Sequence, residues 1–210
     1  MNIQHIIRIG AIGLVISGAA LGYSYVSHPH HMTPDVIASN SWFVIHLLFA
    51  LSLVLGLMGT TALYAPTAQR SGWVGMIGFS TLFIGMMMIF GLDYYEVFIA
   101  PYLAVHYPQV IHDHGAGDAM GMVAISFPTA GTLTVIGYAI LAFAWMRVQV
   151  LPRTIALVMI ISSIAFGVGL SPVGSLMIAR VTAAAFGASL IAIGFAAWQS
   201  LLGKTSTTWV

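Results

Sequence analysis

From Ile6 to Val26 the chain reads IIRIGAIGLVISGAALGYSYV, an apolar run broken by a single charge, Arg8, and runs of similar length recur almost to its end. About 20 apolar residues are what a helix needs to cross a bilayer, whereas a soluble domain needs a polar exterior. The material for such an exterior is missing: charged residues make up 5% of 210, hydrophobic ones 60%, and mean hydropathy is +0.99. The expected fold is therefore all-α, a polytopic transmembrane bundle of about six helices forming a single integral membrane domain over residues 1–210. Apolar run length and the Pro, Gly and polar breaks place the spans at about 6–26, 42–64, 73–103, 119–146, 154–170 and 173–201. Arg8 ahead of an apolar core also fits a secretory signal, but the run is read as a retained first helix. Gly18 and Gly22 within it have the small-xxx-small spacing that lets another helix pack closely.

With six spans, Arg8, Arg70, Arg147, Arg153 and Lys204 all fall on the side of the N-terminus. The positive-inside rule makes that side cytoplasmic, which puts both termini inside a cell inner membrane. The opposite, extracytoplasmic side receives all five acidic residues and seven of the eight histidines. Acidic residues weigh little in topology and histidine is mostly neutral, so the rule does not produce this asymmetry. Two hairpins with short basic inner turns hint at an internal repeat, but the same rule accounts for them.

Polar residues inside the spans constrain function more than those in loops, because hydrocarbon makes an unpartnered polar group costly. At about 1.5 Å rise per residue, His46, Asp93, Glu96 and Arg180 all lie roughly 8 to 14 Å below the outer end of their helices. Asp93 and Glu96 are three apart and share a helix face, and Arg180 is the cation expected to neutralise them. Such a layer is either structural glue or the floor of a site opening outward.

The expected roof of that site is made of histidines. "HPHH", His28 to His31, and "HDH", His112 to His114, stand at the same membrane face. In an extended segment, H-x-H turns both imidazoles to one side, a chelating pair for a transition metal, copper before zinc. The candidate metal ligands are His28, His30, His31, His46, Glu96, His112 and His114. Gly115 and Gly117 let the second loop fold back, and Asp118 is placed to cap the fourth span or to orient an imidazole. Met32, Met120 and Met122 lie beside these clusters and would soften the site toward Cu(I) if their sulfurs face the imidazoles. A b-type haem is the second cofactor reading, with His46 as one axial ligand, His106, His112 or one of the "HPHH" histidines as the other, and Arg180 on a propionate.

An enzyme reading uses three histidines to hold zinc, with Glu96 or Asp93 as base on a lipid-derived amide or ester. These ingredients are similar to those of membrane ceramidase-like hydrolases, but the motif order differs and one span is missing. The absence of cysteine excludes disulfides and thiolate-held clusters. No HxxxH and HxxHH boxes mark a membrane hydroxylase. The only lysine, Lys204, lies outside the spans, which excludes a retinal protein, and no basic patch supports nucleic-acid binding. The expected partners are lipid and either further membrane subunits or copies of the same chain, in a redox or metal-handling complex or in a purely structural accessory role.

The order "SHP", "SWFVIHLL", "GLMGTTALYA", "YYEVFIAP" and "VLPR" resembles a set of uncharacterised bacterial multipass membrane proteins. They share a His-Pro after the first helix, Trp-x-x-x-His in the second and Tyr-x-Glu before a proline in the third. The matching residues here are His28, Pro29, Trp42, His46, Tyr94, Glu96 and Pro101, and the likeness covers about the first 155 residues. It implies a multipass bundle and no particular activity.

Overall fold

The computed structural model describes residues 2–114, 122–171 and 174–202, and among them it is helical with no strand. The long elements are α1 (Ile3–Ser27), α3 (Asn40–Tyr94), α6 (Met122–Arg147), α7 (Arg153–Gly169) and α8 (Leu176–Leu202). Short helices α2 (Pro34–Ile37), α4 (Ala100–His106) and α5 (Pro108–His114) cluster after α1 and α3. Three helix starts, of α1, α3 and α2, follow capping chemistry. The Asn2 side chain accepts from the Gln4 amide at 3.1 Å, the Ser39 hydroxyl accepts from the Trp42 amide at 3.3 Å, and Pro34 opens α2.

Four stretches are long and apolar enough to cross a membrane: Ile3–Ser27, Asn40–His106, Ile125–Arg147 and Leu176–Leu201; α7 is apolar but shorter, at 17 residues. The second stretch has 67 residues and as a straight rod would extend roughly 100 Å, about three times the hydrocarbon thickness. It is not straight. Gly72, at φ 57° and ψ −153°, adopts a backbone conformation that glycine tolerates and side-chain-bearing residues do not, and the helix folds back there. Across the fold His46 meets Asp93, Tyr64 stacks on Phe79 with ring centroids 4.4 Å apart, and the space beside Gly56 is taken by Met86. These pairings fix two antiparallel arms, 40–71 and 73–94.

The arms and the other long helices form a closed ring. α1 packs on the first arm, the second arm on α6, α6 on α7, α7 on α8, and α8 returns to α1. Sequence neighbours are thus neighbours in space throughout. Lipid tails are as apolar as leucine, so packing holds such a ring together more than water exclusion does. The closing seam shows how: Gly18 of α1 lies against the backbone of Gly187 in α8, so close that a Cβ on either would meet the other's carbonyl oxygen. The centre is filled by Tyr138 of α6, Phe186 of α8 and Phe166 of α7, with successive ring centroids 5.4 Å apart. The Tyr138 hydroxyl finds Thr60 of the first arm at 3.3 Å.

Several expectations are corrected. The break expected over "APTAQRSG" falls only at its last residue, Gly72, and not at Pro66. Proline removes one helical donor, while the Thr67 hydroxyl bonds back to the carbonyls of Leu63 and Tyr64, each at 3.0 Å, and the helix runs on to Gly72. The segment expected as the loop "HYPQVIHDHGAG" contains helix α5 across its middle. The eighth helix begins at Leu176 rather than at residue 173. In α8, Ala183 and Gly187 are buried and Ile191 is half-buried, while Ala184 and Ala188 are exposed.

Candidate functional site

After the second arm the helix widens into a π-turn, Tyr95–Ile99, before α4. The Ala100 amide donates to the Tyr95 carbonyl, five residues back, instead of to Glu96. In that register the Glu96 carbonyl would be served by residue 101, which is a proline and has no N–H. Its donor comes from across the bundle: the Trp42 indole nitrogen donates to the Glu96 carbonyl at 3.0 Å. Trp42, 1% exposed, is thereby pinned at the head of the first arm. One helical turn further on, the His46 ring lies under it, with centroids 4.3 Å apart.

His46 and Asp93 are both buried, and His46 Nδ1 lies 2.7 Å from Asp93 Oδ1. With the carboxylate ionised, Nδ1 carries the proton and donates it, which leaves Nε2 as a lone-pair donor. That Nε2 is buried and has no protein partner. It belongs to a residue lining a cavity of about 460 Å³ whose polar wall includes His28, Met32, Asp93 and Glu96. Phe49, Ile89, Phe127 and Leu170 make much of the remainder. His28 stands with its ring centroid 5.4 Å from that of His46. Its Nδ1 is 3.0 Å from the Pro29 carbonyl, so its Nε2 is also the free nitrogen. Burial lowers the His28 pKa from its ordinary value, the bond to Pro29 opposes this, and His46 and Arg180 lower it further.

Arg180 does not neutralise the carboxylates as expected. Its guanidinium donates to the backbone carbonyl of His28, and the one ion pair among the described residues joins His46 to Asp93. The reason is register: the fold at Gly72 sets residue 46 opposite residue 93, whereas α8 reaches this end of the bundle beside α1. The "HPHH" group also splits. His28 lines the cavity, but His30 and His31 are exposed, pair with each other at 5.3 Å between centroids, and do not line it. His106 is exposed and lies against Tyr102.

The backbone of His112 and His114 is helical, and residues two apart in a helix do not share a face. The extended geometry behind the H-x-H expectation is therefore absent. The side chains of His112 and His114, together with Gly115, Gly117, Asp118, Met120, the side chain of Met122, and Lys204, lie outside the described residues. Among the described residues no group of three or more His, Asp or Glu side chains gathers closely enough to hold a metal ion. The part of Trp42 was not foreseen. Its signal was present in the i, i+4 spacing of Trp42 and His46 within one helix.

The opposite end of the bundle carries basic residues. Arg70 donates to the Val148 carbonyl at 2.7 Å, joining the turn between the arms to the α6–α7 turn, and Arg147 and Arg153 share a cavity there. No protein-family model matches the chain, and neither a curated protein nor a solved structure matches it.

Proposed function

We propose that the chain is a six-span protein of a cell inner membrane that binds a transition-metal ion, copper before zinc, in the cavity walled by His28, His46 and Met32. The carrying observation is the His46 imidazole, fixed by Asp93 at 2.7 Å, with an unpartnered Nε2 in a residue that lines the cavity. A carboxylate behind a histidine is the usual device for orienting a metal-binding imidazole and raising its basicity. Two imidazoles sharing an ion at about 2.0 Å per bond have centroids roughly 4 to 6 Å apart, and His28 and His46 stand at 5.4 Å. Structural zinc asks for four ligands, whereas two imidazoles and a thioether suit Cu(I). His28, His46 and Met32 line one cavity, which supports the latter reading. Glu96 lines the same cavity and is available to an oxidised ion.

The six-span reading counts the two arms of α3 and the shorter α7 as separate crossings. The arginine-bearing end is then cytoplasmic, with both termini, and the histidine end is extracytoplasmic. A bundle this small, with no further machinery of its own, works as a subunit of a redox or metal-handling membrane complex or as a homo-oligomer.

Elemental analysis of protein purified in detergent without chelator tests the metal directly. Copper near one per chain, lost in His46→Ala, is expected, and metal far below one per chain refutes the reading. A Soret band in the absorption spectrum would replace copper with haem b. The chain has no cysteine, so a single cysteine placed at residue 31 or 70 is a unique topology reporter. Labelling of both from the same side of the membrane would overturn the orientation.

A further inference from the structure

Another cavity, at the other end of the bundle, shares no lining residue with the histidine cavity. It measures about 1020 Å³, between the α6–α7 turn and the last turns of α8. Its polar end carries Arg147, Gln149, Arg153 and Gln199, and its apolar wall carries Ile155 and Phe195.

Three features set it apart from an ordinary basic loop. Neither Arg147 nor Arg153 has a carboxylate within ion-pair distance among the described residues, because Asp35, Asp93 and Glu96 are all at the histidine end. The guanidinium of Arg147 instead lies 6.0 Å from the Phe143 ring. The N-cap of α7 is Pro152, which offers no side-chain acceptor, so the positive end of that helix opens beside the arginines. Gln149 sits at φ 58°, where α6 ends in a Schellman turn: the Val150 amide reaches the Trp145 carbonyl at 2.9 Å and the Gln149 amide reaches Met146 at 3.3 Å. Glycine relaxes that position and glutamine does not, yet the residue present is one whose amide lines the cavity.

We infer that this crevice holds the headgroup of an anionic phospholipid, the phosphate between Arg147 and Arg153 and an acyl chain along Phe195 and Ile155. The layout favours a lipid over a free anion. The lining joins Arg147 and Arg153, at the ends of α6 and α7, to Phe195, which lies about two turns inside the end of α8 and is 55% exposed, and the chain carries helices long and apolar enough to cross a bilayer. Free phosphate would use the arginines and leave the apolar wall bare. The inference is independent of the metal reading.

The test is native mass spectrometry of the full chain released from detergent, titrated with phosphatidylglycerol, with phosphatidylcholine of the same acyl chains, and with inorganic phosphate. Phosphatidylglycerol is expected to bind at least tenfold more tightly than phosphatidylcholine, an advantage that falls with added salt. R147Q/R153Q is expected to lower its affinity about 25-fold, since each basic residue near a charged headgroup contributes a factor of about five. Q199E places a carboxylate in the crevice at an exposed position and keeps both arginines. It is expected to weaken phosphatidylglycerol binding without moving the melting temperature, so the question stays answerable if the double variant does not fold. Equal affinity for the two lipids, or unchanged phosphatidylglycerol affinity in Q199E, would overturn the inference. Inorganic phosphate binding as tightly as the lipid would also overturn it, by identifying a small-anion site.

Discussion

Replacing Trp42 by phenylalanine isolates the bond that ties the head of the first arm to the π-turn. The indole is 1% exposed and gives its N–H to the Glu96 carbonyl at 3.0 Å. That carbonyl has no helical donor, because the Ala100 amide is engaged by Tyr95 and residue 101 is proline. W42F therefore leaves a half-buried acceptor without its protein donor, which costs about 1 to 2 kcal/mol, and the smaller ring removes roughly 1 kcal/mol of packing. The two contributions separate in a P101A background. That substitution supplies an N–H five residues beyond Glu96, where a π-turn can use it, while the packing loss is untouched. Unfolding in detergent, followed by a denaturant series on the four proteins of the cycle, is expected to show W42F costing about 1 to 2 kcal/mol less when residue 101 carries the N–H. An equal cost in both backgrounds would refute the account of the orphaned carbonyl and reduce Trp42 to a packing residue.

Asn in place of Asp93 keeps the shape of the dyad and removes the charge that fixes the His46 tautomer; copper affinity measured by chelator competition is expected to fall about 10- to 100-fold, and an unchanged affinity would detach Asp93 from the site. Gly72→Ala meets no neighbouring atom but imposes a side chain at φ 57°, so it is expected to destabilise by about 1 to 3 kcal/mol through backbone strain alone. Gly91→Ala, equally free of neighbours but within the helix, is expected to stabilise by about 0.5 to 1 kcal/mol, and thermal melts giving both variants the same sign would contradict the fold at Gly72. At the α1–α8 seam, Gly18→Ala drives a methyl group onto the Gly187 carbonyl and is expected to cost about 1 to 3 kcal/mol; a neutral melt would mean that the helices can separate without loss.

The polar layer was legible because a histidine and two carboxylates stand out in apolar segments and counting residues puts them at one depth. The pairing within it was not. Charge balance alone selects Arg180 as the partner of Asp93, since it is the nearest full cation by depth. The pairing seen depends on the register of the two arms, which a single positive-φ glycine sets and no hydrophobic period reports. The π-turn was hidden for a similar reason, because it arises from Pro101 acting on a carbonyl five residues earlier rather than from any local composition. Of the histidine clusters, the sequence indicated that they share one end of the bundle, where α2 packs on α4 and α5. It did not show that "HPHH" divides after His28, nor that helix, rather than extended chain, runs through His112 and His114. Met32 was visible as a neighbour of the cluster, and only the folded chain puts it on the cavity wall with the imidazoles.

The closed ring has a consequence for how the protein is made. Every contact between successive helices can form as soon as the second of the pair has entered the membrane, but the α1–α8 seam joins the first helix to the last and must wait for the whole chain. Until then the face of α1 that carries Gly18 has lipid or another protein against it. The histidine cavity is incomplete over the same interval, because Leu176 and Ala179 of α8 form part of its wall and the guanidinium of Arg180 reaches the His28 carbonyl only from α8. A ribosome-bound chain stopped before residue 176 therefore lacks a finished pocket, and the interval before closure is the time in which an assembly factor or a second subunit can occupy the seam.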